Sequence, residues 1–262
     1  MSCRRHSFRR DGTGEWMISA EQLDRYAAAF TVLARLHLEP ASSDTRHSVV
    51  ELLPQWPILP VTTGAAEQVS TVHESAGGTD PAAFTARGIS LLRASVAAGE
   101  TDSQVRSDQD QLYGISATAL VAPFESVHLG DDHLVFDVQT LEVRAAYMRA
   151  GFQAPHLNTE PDDHIGLEID FLGRCCLAAL DALARNDLRE AQEIFSQAQE
   201  FTCVHLAQWA PEMLKQAAAA AATQWVQGLE WLTAGAVAQW ICDCDAVHIP
   251  VPPERQESER YE

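Results

Sequence analysis

Apolar residues recur at intervals of three and four along most of this 262-residue chain, while period-two alternation is nearly absent. That pattern constrains the fold most, because stripes at helical spacing must be buried against one another when no strand-like runs accompany them. The spacing predicts helices over residues 18–38, 45–53, 81–98, 102–113, 138–150, 162–185, 187–208 and 211–241, the last with a candidate break at Thr223 or Gly228. The expected fold class is all-α, a globular multi-helix bundle. Residues 54–80, with Pro54, Pro57, Pro60 and a Gly/Ser/Thr-rich stretch, read as a long loop that ends at a helix start, Pro81. Ile115 to Phe136, broken by Pro123, Gly130, Asp131 and Asp132, reads as an ordered loop. It divides a single domain, 17–249, into helical halves of about 17–113 and 135–249 joined by 114–134.

Composition sets outer limits. An apolar content of 46% is too high for a disordered chain, and no apolar run approaches the roughly 20 residues of a membrane span, so no stable membrane insertion is expected. A net charge of −19 argues against nucleic acid as a partner and favours cationic ones. Basic charge gathers at the start in Arg4, Arg5, Arg9 and Arg10, but Asp11-Gly12-Thr13-Gly14-Glu15 follows where an export signal needs an apolar run. Residues 1–16 are expected to be a disordered basic leader, or to precede a natural start at Met17; the Pro-rich, charged tail 250–262 is expected to be disordered as well. Cys3, Cys175, Cys176, Cys203, Cys242 and Cys244 form no C-x-x-C pair, which suits reduced thiols in a cytoplasmic protein.

Common catalytic signatures are missing. There is no phosphate-binding glycine loop and no G-x-S-x-G elbow, and Lys215 is the only lysine. Three segments carry unusual residue combinations. In Glu160-Pro161-Asp162-Asp163-His164-Ile165-Gly166-Leu167-Glu168-Ile169-Asp170-Phe171-Leu172, proline suits the first position of a helix, so the helix is predicted to start at Pro161 with Thr159 or Glu160 as its cap. Asp162 and Asp163 would then lie at the positive end of the helix dipole and stay ionised, with His164 and Glu168 sharing one side. These acids and His164 could ligate a metal, but the second histidine of H-E-x-x-H chemistry is absent, and no metal or other cofactor is expected. The second segment, Pro123-Phe124-Glu125-Ser126-Val127-His128-Leu129, mixes aromatic, acidic and small residues in a loop. In the third, Phe201, His205 and Trp209 are spaced by four, which predicts a packed face, with Pro211 opening the next helix.

In this order the segments resemble the TorD/DmsD/NarJ-like family of cytoplasmic chaperones for molybdenum-containing oxidoreductases. Glu160-Pro161-Asp162-Asp163-His164 with Glu168-Ile169-Asp170-Phe171-Leu172 looks like the family's E-P-x-D-H-x-x-x-E-L-x-F-L motif. Pro123 to Leu129 is similar to its P-[YFW]-x-S-V-[YW]-L segment, and Phe201 to Pro211 to its F-x-x-x-H-L-x-x-W-x-P segment. Phe136-Asp137, Thr140-Leu141-Glu142-Val143-Arg144, Tyr147 and Gly151 resemble the helix between them. The chain departs at Asp108-Gln109-Asp110-Gln111-Leu112-Tyr113, where members carry D-[YF]-x-R-L-F, and at His128, where an aromatic is common.

The resemblance implies an all-α bundle of the TorD/DmsD type without enzymatic activity, cytoplasmic, either monomeric or a domain-swapped dimer. Its partner would be the twin-arginine leader of a molybdopterin oxidoreductase, held back from export until cofactor insertion, and possibly the enzyme's mature part. Asp163 and Glu168, with Glu125 and Glu160, are expected to receive the arginines. Phe124, Val127, Leu129 and Tyr113 would form an apolar wall, and Ser126, His128, Pro161 and His164 would complete the site, His164 being held by Glu168 or bonding the leader backbone. The alternatives are a nucleotide-hydrolysing enzyme using Asp163 and His164, and an assembly factor acting on the reductase's mature part.

Overall fold

The computed structural model describes residues 18–58, 80–114, 118–130, 132–154 and 161–246. The basic leader, most of the 54–80 loop, Thr159, Glu160, Cys3 and the tail from residue 250 lie outside the described residues. The described chain forms α1 (Ala20–Leu38), α2 (Ser43–Leu52), α3 (Pro81–Ala98), α4 (Asp102–Tyr113), α5 (Glu125–Leu129), α6 (Val138–Arg149), α7 (Ile165–Ala184), α8 (Leu188–Phe201), α9 (Ala207–Ala220) and α10 (Gln224–Ala246). Among these residues there is no strand, only one antiparallel bridge between Phe124 and His164. None of the described helices is long and apolar enough to cross a membrane.

Local chemistry sets many helix ends where the sequence predicts them. Ser19 and Thr101 form capping boxes with Gln22 and Gln104, Asp80 caps α3 ahead of Pro81, and Gly99 and Gly114 end α3 and α4 in the left-handed conformation. The break in the long C-terminal helix falls at residues 221–223, and two distant acids secure the restart. Asp108 accepts from the Ala222 and Thr223 amides at 2.9 and 2.7 Å, and Glu100 accepts from the Gln224 and Trp225 amides at 2.7 and 3.0 Å. Gly228 lies inside α10, where α3 crosses it: a Cβ there would sit 2.9 Å from the Leu92 backbone nitrogen.

The two predicted halves interleave. α1 packs along α7 and α3 along α10, so each major interface joins an early helix to a late one. Tyr26 and Phe30 of α1 meet Trp240 of α10 edge-on, and Phe195 of α8 closes the other side. Gln109, where the family carries an aromatic, instead donates from its side-chain amide to the Leu36 and His37 carbonyls that end α1, at 3.0 and 3.1 Å.

Three predicted boundaries need correction. The segment expected to be a loop, 114–134, contains helix α5. α7 starts at Ile165 rather than Pro161: the Glu125 amide donates to the Asp163 carbonyl and the Ile165 amide to the Pro123 carbonyl, at 3.0 and 2.8 Å. These bonds hold His164 extended in a bridge to Phe124, overriding proline's preference for a helix start. Pro211 does not open a helix but sits inside α9, because α8 continues through a π turn at Thr202–Leu206 into α9. The wider π winding offsets the drift that α winding builds over eight residues, which keeps Phe201, His205 and Trp209 on one buried face.

Candidate functional site

The three singled-out segments converge on Asp163. Its carboxylate accepts from the Ser126 amide at 2.8 Å and from the Thr140 hydroxyl at 2.8 Å, so one side chain caps α5 and ties it to α6. Asp162 faces the other way and pairs with Arg144 Nε at 2.5 Å, while the Tyr147 hydroxyl donates to its carbonyl at 3.0 Å. His164 is the N-cap of α7: its Nδ1 accepts from the Gly166 amide at 3.0 Å, and its ring meets Tyr113 and Phe124 edge-on. It is therefore not held by Glu168, and these side chains diverge rather than converging as metal ligands would.

Behind α5 lies a second layer of acids. Glu125 Oε1 lies 3.0 Å from His205 Nδ1, and Glu168 accepts from the Trp209 indole N–H at 3.3 Å. Burial first, then the neighbouring Glu125 and Asp163, raise the Glu168 pKa well above the ordinary carboxylate value. Burial also lowers the His164 pKa to about 4, so its ring is neutral and its Nδ1 is free to accept. His128, standing where the family carries an aromatic, stacks on Trp209 with ring centroids 5.3 Å apart and bonds the Ala122 carbonyl through Nε2 at 2.8 Å.

Tyr113 extends the assembly toward α10. Its hydroxyl lies 2.5 Å from Glu230 Oε1 and 2.6 Å from His37 Nδ1, and His37 Nε2 lies 2.8 Å from the Thr233 hydroxyl. All four residues are buried.

Residues 82–215, half of the chain, match the family model described as nitrate reductase delta subunit, and the match contains α5, the Asp163 turn and the His205–Trp209 face. The chain belongs to the nitrate reductase delta subunit family. This is a family of molybdoenzyme assembly chaperones, and the resemblance to the TorD/DmsD/NarJ-like group holds. No curated protein matches the chain.

Within this family framework, the expected site residues fall into two sets. Asp163, Glu168, Glu125, Ser126, Pro161 and Tyr113 are buried, and Asp163, Glu168 and Glu125 bond inward. For an incoming arginine to pair with those three acids, α5 would have to lift from the Asp163 turn. Phe124, Val127, His128 and His164 are half-buried, and Leu129 is exposed. Glu160 lies outside the described residues. Sequence reasoning missed Thr140, Arg144, His205 and Trp209 as partners of the site acids, and it missed the network of His37 and Glu230 with Tyr113. Glu230 did leave a signal: it is the one charged residue in the stretch from Trp225 to Trp240.

Proposed function

We propose that this chain is a cytoplasmic, system-specific chaperone that binds the twin-arginine leader of a molybdopterin-containing oxidoreductase and delays its export until the cofactor is inserted. Family membership supports the assembly role. The observation that carries the finer reading is the joining of α5 to the Asp163–His164 turn: residues 123–129 rest on it through two backbone bonds and one carboxylate cap. The buried acids brace this turn, with Phe124, Val127 and His128 half-buried and Leu129 exposed beside it. An amphipathic or extended peptide can be received on such a half-buried apolar rim.

Calorimetric titration of the full chain with a synthetic leader tests this. Saturable binding that is lost when both leader arginines become alanine supports the reading; no binding of the unaltered leader overturns it. One observation favours a second reading, action on the mature enzyme, since the matched family model is described as a reductase subunit. Capture of the client after deletion of its leader would favour that reading.

A further inference from the structure

Helix α6 is apolar on two opposite sides, and among the described residues only one of them is covered. Thr140, Val143, Ala146 and Tyr147 are buried against the bundle. On the far side Val138, Leu141 and Met148 are 57%, 60% and 67% exposed, and Ala145 between them is exposed too. Their spacing of three, four and three is that of a helix-packing seam. A second apolar stripe opposite the core face of a helix is ordinarily covered, so this one has the character of an interface. The preceding turn adds to it: Leu134 and Phe136 are 62% and 50% exposed, and His133 and Phe136 have φ values of 52° and 65°. Phe136, a bulky residue, thus adopts the left-handed region while exposing its ring, a conformation that is uncommon outside functional turns.

Charge selects the occupant. Asp132, Asp137 and Glu142 surround the N-terminal end of the stripe, and residues 129–143 contain no lysine or arginine. Toward the other end stands Arg149, 3.8 Å from Glu200. The seam from Val138 to Met148 spans about 15 Å at 1.5 Å per residue, enough for roughly ten residues of a helix, which matches the 7–15-residue apolar region of an export leader.

We infer that the outward face of α6 and the Leu134–Phe136 turn dock the apolar region of the leader as a helix running parallel to α6, with its arginine pair against Asp132, Asp137 and Glu142. This rests on the leader-binding reading above and places the peptide on exposed groups rather than on the buried acids. The chain's own basic segment is a poor occupant, since Asp11-Gly12-Thr13-Gly14-Glu15 follows its arginines in place of an apolar run.

The test is titration of a fluorescent leader peptide into the full chain and into the double variant Leu141→Asp/Met148→Asp, whose side chains leave the core untouched. The expected result is an affinity about ten-fold or more weaker at an unchanged unfolding temperature. Asp132→Asn/Glu142→Gln should weaken binding at low salt and reduce its salt dependence. Unchanged affinity in Leu141→Asp/Met148→Asp, with the wild type still binding, overturns this docking face and leaves the leader-binding reading standing. A wild type that binds no leader overturns both. A wild-type dimer that the double variant converts to monomer, with leader affinity unaltered, assigns the face to a second copy of the chain and also overturns the inference.

Discussion

Replacing Glu230 by glutamine is expected to change how stability depends on pH, with little effect on the shape of the core. Burial raises the Glu230 pKa from its ordinary 4.5 to about 8, and the nearby Asp108 adds to this, against the opposing effect of the Tyr113 hydroxyl. Hydrogen bonds hold the carboxyl in place. The Tyr113 hydroxyl donates to Glu230 Oε1 at 2.5 Å and lies 2.6 Å from His37 Nδ1, and His37 Nε2 lies 2.8 Å from the Thr233 hydroxyl, which donates to the Leu229 carbonyl at 2.9 Å. His37 fits the same arrangement, since burial lowers its pKa to about 3 and keeps its ring neutral. Because the folded pKa of Glu230 is raised, its contribution to stability is fully present below pH 4.5 and is lost as pH rises through 8. At about 1.36 kcal/mol per pH unit, the loss between pH 5 and pH 8 is on the order of 3 kcal/mol. A glutamine in this place would not titrate, and its side-chain carbonyl can accept from the Tyr113 hydroxyl as Glu230 Oε1 does. Urea unfolding of the wild type and Glu230→Gln at pH 5 and pH 8 should therefore show the variant gaining on the wild type by a few kcal/mol at the higher pH, with equal m-values. Parallel stability profiles across that range would refute the assignment of a buried neutral carboxyl.

Acid should act through the histidines in the opposite sense: with folded pKa values lowered to about 3 and about 4, His37 and His164 contribute stability above pH 6.5 that is lost as pH falls through those values. Replacing His164 by alanine removes the α7 cap at a cost of about 1 kcal/mol near neutral pH and should flatten the acid limb, as pH-dependent thermal melts would show. In Asp163→Asn, one of two carboxylate acceptors becomes a donor facing Ser126 N or Thr140 Oγ1, which should cost about 1–3 kcal/mol; amide exchange at Ser126 should speed up while the α10 core stays protected. Gly88→Ala would place a Cβ 2.5 Å from the Leu232 backbone nitrogen and force α3 off α10, lowering stability by about 3 kcal/mol or more in denaturant titration.

Much of the helical architecture was legible because its determinants are local. The predicted ranges 81–98 and 102–113 match α3 and α4 to the residue, since Asp80, Thr101, Gly99 and Gly114 supply caps within one turn of each end. Boundaries failed where distant groups intervened. The start of α7 is decided by Pro123 and Glu125, which are about forty residues away in sequence and invisible to any local rule. α5 was hidden for a related reason: it is a single short turn, and its cap comes from Asp163 rather than from a preceding residue. Motif order pointed to segments that the fold brings together, yet the direction in which each side chain points was beyond its reach. Asp162 and Asp163 are adjacent in sequence, but one turns to Arg144 and the other to Ser126 and Thr140.

By itself, then, the sequence determined that the chain is helical, roughly where its helices run, and that residues 123–129, 161–172 and 201–211 carry a chaperone family's motifs. Periodicity and caps act over three or four residues, and a one-dimensional reading captures them. Tertiary structure alone decided which acids face inward. Desolvation depends on everything packed around a carboxyl, so burial raises the pKa of Glu168 and Glu230 while Glu142 stays in water. It also decided that α6, whose apolar residues look in sequence like ordinary core, covers one side and leaves the stripe from Val138 to Met148 open, because none of the described helices lies against it there.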